Sequence, residues 1–154
     1  MKMTGTYDLG GKGGGPGGLA IDVKNHILFA SCHNPATMVI LNSEDGKIID
    51  ALPIGSGTDG ATFNPKTMEA FSSNADATLT VIKENSPTSF VVEQVVQTMP
   101  GARTLTLDTK TNRILSMASE TAPPATPAPG APPGRGGGRG TPIPDSFTII
   151  VVSK

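Results

Sequence analysis

The sequence has no tryptophan, one tyrosine and one cysteine, Cys32, so an internal disulfide is excluded. Its 12 basic and 13 acidic side chains nearly balance, which leaves no overall field to attract nucleic acid or an anionic membrane. No run approaches the roughly 20 apolar residues of a membrane span, and the N terminus lacks the apolar core of a signal peptide. We therefore expect one soluble domain over residues 1–154 with no membrane span.

The chain is instead rich in residues that end strands and form turns, with 19 glycines and 14 prolines. Short apolar runs alternate with these turns, as in "GLAID" and "ILFAS". Alternation with a period of two is typical of a pleated strand with two different faces. The composition therefore predicts an all-β fold with short strands.

A repeat organises these runs. Asp22, Asn64 and Asp108 occupy the same place in three similar stretches, at steps of 42 and 44 residues. Such a spacing, filled with four short strands, is typical of a propeller blade. Naming the strands of a blade A to D gives the order D-ABCD-ABCD-ABC, in which residues 6–9 form a lone strand D. We thus predict a partial β-propeller of about three antiparallel, four-stranded blades, with twelve strands in all.

Between strands B and C of the third repeat lie residues 122–145, with eight prolines and six glycines. This segment has too little apolar surface to offset the entropy lost on ordering, so we expect a disordered loop. Its "GRGGGRG" stretch resembles segments that contact RNA, but two arginines without a nearby aromatic provide little affinity. A nucleic acid is therefore a possible partner, but the net charge does not support it.

The succession "GLAID", "ILFAS", "MVILNSEDGK" and "IIDALPIGSG" resembles the YncE or YVTN type of bacterial seven-bladed propeller, a family related to surface-layer repeats. This resemblance implies a C-terminal portion of about three blades and a periplasmic or secreted setting. The open faces and edges of such a piece would be covered by further blades or by a second copy. In a dimer, the strand D of one copy could complete the last sheet of the other.

In propellers, ligands bind where the D-to-A and B-to-C connectors meet at one mouth of the channel. Cys32 and His33 are metal ligands by type, but adjacent strand residues point to opposite faces, so we expect no metal site. Asp59, Asp76 and Arg103 could form a polar cluster at the mouth that binds a sugar, a lactone or a cation. The favoured alternative is that Asp59 caps a turn and Asp76 makes an Asx-turn before strand C. The candidate ligand-binding residues are His33, Asn34, Asp59, Asp76 and Arg103.

No hydrolase, metalloprotease or nucleotide-binding motif is present, so we assign no catalytic residue and no cofactor. The favoured hypothesis is a non-enzymatic binding or scaffold propeller that presents loops to a ligand, polymer or protein. One alternative is a lactonase-type enzyme with a metal or carboxylate site at the mouth. Another is a gene fragment without independent function.

Overall fold

A computed structural model describes residues 1–122 and 141–154, which form eleven β-strands and no helix. The described residues hold no helix long and apolar enough to cross a membrane. The strands are β1 (Pro16–Asp22), β2 (Ile27–Cys32), β3 (Thr37–Asn42), β4 (Ile48–Pro53), β5 (Thr58–Asn64), β6 (Glu69–Asn74), β7 (Thr78–Ser86), β8 (Ser89–Gln97), β9 (Arg103–Asp108), β10 (Arg113–Ala118) and β11 (Thr148–Val152).

The strands form three antiparallel sheets in which neighbours in sequence are neighbours in space. Blade 1 has the order β1-β2-β3-β4, blade 2 the order β5-β6-β7-β8, and blade 3 the order β11-β10-β9. The innermost strand of each blade packs beside the innermost strand of the next. The all-β partial propeller predicted from the repeat is confirmed.

One turn recurs at the A-to-B hairpin of every blade. The last residue of the first strand is an Asp or Asn whose Oδ1 accepts the N–H of a lysine two positions on. Two positions after the lysine, a residue takes a positive φ of 55 to 59°, which closes a four-residue connection. These residues are Asp22, Lys24 and His26 in blade 1, Asn64, Lys66 and Met68 in blade 2, and Asp108, Lys110 and Asn112 in blade 3.

The core lies between the blades. Phe29 of blade 1 stacks on Phe63 of blade 2 at 5.2 Å between ring centroids, and Phe90 of β8 meets Phe29 edge-on at 5.9 Å. Around Phe71, a second cluster joins blade 2 to blade 3 and includes Ile114. Because each sheet buries an apolar face against its neighbour, stability comes from contacts between blades.

Glycines at the inner edges let the blades approach. An ideal Cβ built on Gly17 would lie 2.5 Å from Thr58 Cγ2, and one on Gly60 would lie 2.7 Å from Leu105 Cδ2. A Cβ on Gly18 would collide with the backbone of Ala61. These glycines, in the innermost strands of blades 1 and 2, are therefore required because the backbones of adjacent blades pack closely there.

The lone strand D expected at residues 6–9 is not formed in the described chain, so eleven strands replace the expected twelve. Tyr7 donates its hydroxyl to the carbonyl oxygens of Ser43 and Glu44 at 3.1 and 2.9 Å. Leu9 packs on blade 1 beside Val39. The segment contacts blade 1 through its side chains because no described strand lies beside it for backbone pairing.

Part of the insert expected at 122–145 is ordered. Ala122 N–H donates to Thr141 O at 2.8 Å, and Ile143 N–H donates to Glu120 O at 2.9 Å. These bonds flank an antiparallel bridge between Thr121 and Pro142, so the two ends of the insert form a paired base. The prediction of disorder for 123–140 lies outside the described residues.

Candidate functional site

The mouth is the end of the blades where the D-to-A and B-to-C connectors meet. In blade 2, Asp76 joins two connectors. Its Oδ2 accepts the Ser56 N–H at 2.6 Å, and its Oδ1 accepts the Thr78 hydroxyl at 2.6 Å. Burial alone would raise the Asp76 pKa, but the hydrogen bonds from Thr78 and Ser56 outweigh it, and the pKa is lowered. Asp76 thus fixes the loop around it while remaining exposed.

Below Asp76 lies a buried polar network that supports the same end of blade 2. The Asn74 amide donates to Thr78 and Thr80 at 3.0 and 3.1 Å, and Asn74 Oδ1 accepts the Ser72 hydroxyl at 2.8 Å. Ser72 in turn lies 2.9 Å from the Thr58 hydroxyl. With every member bonded, the network holds the connectors rigidly.

His33 and Asn34 lie at the mouth of blade 1, where their backbones are fastened to the glycine-rich segment before β1. Gly14 O accepts the N–H groups of His33 and Asn34 at 3.0 and 2.9 Å. The His33 side chain is half-buried and Asn34 is exposed. Burial raises the pKa of the Cys32 thiol, which opposes the thiolate that a metal needs.

Across residues 1–122 and 141–154, no group of three His, Cys, Asp or Glu side chains is placed to hold a metal ion. The structure does, however, place two of the candidate residues on adjacent strands. Asp59 lies on β5 and is skipped by the pairing of β5 with β6, while Arg103 opens β9. Their side chains make no ion pair with each other.

Arg103 is half-buried and lines a groove of about 970 Å³ at the mouth between blades 2 and 3. The groove is mainly apolar, and Arg103 and Glu120 are the charged side chains among its described lining. The sequence did not indicate this groove, because its walls come from three connectors distant in the chain. Its described lining comprises Ala75, Met99, Pro100, Gly101, Arg103, Met117, Ala118, Ser119, Glu120, Thr121, Thr141, Pro142 and Phe147.

Sequence reasoning also missed two buried carboxyls near the opposite end. Asp22 and Glu84 are each only 2% exposed, and Asn25 Nδ2 donates to Glu84 Oε1 at 2.7 Å. Burial raises the Glu84 pKa, and the charge and hydrogen bonding of Asp22 raise it further. Glu84 is recognisable as buried only once blade 2 is packed against blade 1, since its sequence neighbourhood resembles an ordinary turn.

An ion pair links Glu69 on β6 of blade 2 to Lys154, which follows β11 of blade 3. Buried Glu69 is paired with the Lys154 ammonium, and Glu93 lies 3.6 Å from the same nitrogen. Burial acts to raise the Glu69 pKa, but the hydrogen bond and the positive charge of Lys154 lower it overall. Glu69 and Lys154 line a groove of about 390 Å³ between blades 2 and 3.

Comparisons with known proteins give the fold. No protein-family profile matches the sequence, and no curated protein matches it. Hydrazine synthase from Kuenenia stuttgartiensis is similar in structure at a TM-score of 0.59 and 13% identity, over 68% of this chain and 30% of that one. A gluconolactonase from Xanthomonas campestris has a TM-score of 0.46 and 20% identity, over 66% of this chain and 34% of that one. This chain matches about a third of each, and the likeness concerns propeller-like architecture alone.

Proposed function

We propose that this chain is a binding propeller whose mouth groove takes a ligand with an apolar body and an anionic group. The observation that carries the proposal is Arg103, a half-buried cation in a largely apolar groove. An anionic group that reaches the guanidinium would gain a charge-assisted hydrogen bond. Met99, Met117 and Phe147 would contact the apolar part.

The surroundings of Arg103 support binding without rearrangement of the backbone. Ser116 donates its hydroxyl to the carbonyl oxygens of Arg103 and Thr104, at 3.0 Å each. Ala102 before it is 1% exposed, so the chain that carries the arginine is anchored. A preformed site of this kind loses little entropy when a ligand binds.

Two of the finer sequence predictions belong to the same proposal. The blade pattern that resembles the YncE type and the periplasmic or secreted setting which that resemblance implies both suit a binding protein. Within this proposal His33, Asn34 and Asp59 provide polar groups elsewhere on the mouth. Asp76 acts on the ligand only through the loop that it fixes.

The test uses anilinonaphthalene sulfonate as an apolar anionic probe, with uncharged N-phenyl-1-naphthylamine for comparison. Binding is followed by fluorescence in the full chain, in Arg103→Gln and in Arg113→Gln, a matched control on the exposed, opposite end of β10. We expect Arg103→Gln to weaken sulfonate binding about tenfold, which corresponds to one lost charged hydrogen bond. Binding of the uncharged probe should not change.

Equal effects of the two arginine substitutions would show that only overall charge matters and would overturn the proposal. So would a loss of both probes in Arg103→Gln when circular dichroism shows an intact fold. Metal analysis of the purified chain separates the lactonase-type alternative, because stoichiometric bound metal would favour a metal-dependent enzyme at the mouth.

A further inference from the structure

Blade 1 has one apolar face that no described blade covers. Leu19 and Ile21 on β1 are 65% and 45% exposed. They point away from the side on which Ala20 and Asp22 are buried. One repeat later, the position of Ile21 is held by Phe63, which is 8% exposed and stacks on Phe29 of the preceding blade. The repeat thus indicates that this face of blade 1 is shaped to receive a blade.

Blade 3 has the complementary open face. Phe147, Ile149 and Val151 are 62%, 56% and 54% exposed. In blade 2 the counterpart of Ile149, by the pairing of the strands, is Leu79, which is 2% exposed and packs against the next blade. The face of blade 3 therefore carries the apolar positions that elsewhere in the chain pack on a following blade.

The outer edge of blade 3 is also open. Blades 1 and 2 end in a fourth strand, whereas β11 has β10 on one side and no described strand on the other. Its five residues, "TIIVV", are all β-branched, a composition that favours strand pairing. An unpaired edge of this kind binds an extended segment by main-chain hydrogen bonds.

An extended segment with no sheet of its own lies on blade 1. Residues 6–9 cover the part of its open face that Leu19 and Ile21 do not occupy, with Leu9 against Val39 and Leu41. Tyr7 precedes Ile49 by one repeat of 42 residues, and Ile49 belongs to a fourth strand that packs on the following blade. Residues 6–9 thus lie where the fourth strand of a preceding blade belongs.

We propose that a second copy of this chain supplies the missing blade at each end, so that two copies close into a ring of six blades. At each junction, the face of one copy that carries Ile149 packs on the face of the other that carries Ile21. Beside it, β11 pairs with residues 6–9 of the other copy and gains a fourth strand.

The chain's own interfaces argue for this occupant. The face-to-face packing that the junction needs is already made between blades 1 and 2 and between blades 2 and 3, and the strand pairing that it needs is already made by β3 with β4 in blade 1. One chain carries both complementary faces, the free edge and the free strand, so a second copy matches all four. Blade 3 of one copy lacks a fourth strand, and residues 6–9 of the other copy already lie where that strand would be. The two copies can therefore meet without displacing residues 6–9.

The first measurement is the mass of the full chain by light scattering after size-exclusion chromatography at about 50 μM. We expect twice the 15.7 kDa of one chain. A monomer of 15.7 kDa would overturn the proposal, and a ladder of larger species would overturn the closed ring, because head-to-tail contacts that do not close form open polymers.

A charge-swap experiment then tests which faces meet. Ile149→Glu and Ile21→Lys each place an unpaired charge in the junction, so each variant alone should be monomeric. Mixed in equal amounts they should form a dimer, since one junction gains a Glu–Lys pair and the other keeps its native residues. Val95→Lys is the matched control, because Val95 is 57% exposed on β8 of the central blade and should leave the dimer unchanged.

Failure of the mixture to dimerise, with both variants folded by circular dichroism, would show that these faces do not meet. Hydrogen exchange checks the strand pairing independently of mass. Amides of β11 should be protected in the wild-type dimer and in the mixture, and should exchange rapidly in Ile149→Glu alone. Rapid exchange of β11 in a wild-type dimer would overturn the paired edge.

Discussion

The buried carboxyl pair between blades 1 and 2 yields a prediction whose sign is not obvious. Glu84 and Asp22 are each 2% exposed, and Oε2 of one and Oδ2 of the other lack a hydrogen-bond donor. Two ionised carboxylates cannot hydrogen-bond to each other, because both are only acceptors. A protonated carboxyl and a carboxylate can share one proton. Replacing Glu84 by Gln supplies a permanent donor in place of that proton.

We expect Glu84→Gln to stabilise the protein at pH 7. The glutamine oxygen can keep the bond from Asn25, which is 2.7 Å long in the wild type, while its N–H can donate to Asp22. A hydrogen bond to a charged group contributes roughly 1.5 to 3 kcal/mol. Allowing for imperfect geometry, the free energy of unfolding should rise by about 1 to 2 kcal/mol, which moves Tm by about 2 to 8 °C in a chain of this size.

The gain should depend on pH. Burial and Asp22 raise the Glu84 pKa, so the folded protein holds this proton to higher pH than the unfolded chain does. Wild-type stability therefore falls as pH rises from the unfolded pKa through the raised, folded one. The advantage of Glu84→Gln should grow over that window and be small near pH 4, below which the wild-type side chain is protonated in both states.

Thermal unfolding followed by circular dichroism at pH 4 to 8 measures this effect. Asp22→Asn should act in the same direction, because asparagine fills the equivalent position 64 and accepts the turn N–H there. The double variant should gain less stability than the two single variants added together, because one hydrogen-bond donor is enough for the pair. Glu44→Gln, with a side chain 69% exposed, is the control. A gain independent of pH, or a loss above about 1 kcal/mol at pH 7, would refute the shared proton.

Other substitutions test the packing. Phe71→Ala should lower the free energy of unfolding by about 3 to 5 kcal/mol in urea titrations, since Phe71 is 6% exposed between blades 2 and 3; a change under about 1 would contradict that location. Gly18→Ala should cost more than about 2 kcal/mol by the same assay, because its Cβ meets the backbone of β5. Gly5→Ala, with nothing within 4 Å, should be neutral, and equal effects would disprove the close approach. Deleting residues 123–140 should change stability by less than about 1 kcal/mol, because the paired base remains and loop closure depends weakly on length; a loss of several kcal/mol would show that the segment packs.

The fold was largely readable from the sequence because each blade repeats its turns. The Asp or Asn that ends the first strand, the lysine two residues later and the alternating apolar residues recur with little change, and local chemistry fixes all of them. Strand ends were less predictable. Asn85 is a turn-forming residue by type, yet β7 runs on to Ser86, since pairing with β8 overrides that tendency.

The site was less readable for a different reason. The sequence favoured a turn for Asp76 over a ligand, but only the structure shows which groups it holds, Ser56 and Thr78. The groove around Arg103 depends on how blades 2 and 3 meet, which no local pattern encodes. A ligand role for His33, Asn34, Asp59, Asp76 and Arg103 stays a prediction.

The inner ends of the blades carry Gly17, Asp59 and Arg103 at one shared place in the repeat, separated by the same 42 and 44 residues as the turns. The pairing of β5 with β6 skips Asp59, which is exposed, whereas Gly17, skipped in the same way, is held against Thr58 of the next blade. The three positions already differ as much as side chains can: none, acidic and basic. Because packing against Thr58 fixes Gly17, natural variation can change the recognition chemistry of the rim at positions 59 and 103, one blade at a time, while the hydrophobic interior stays unchanged.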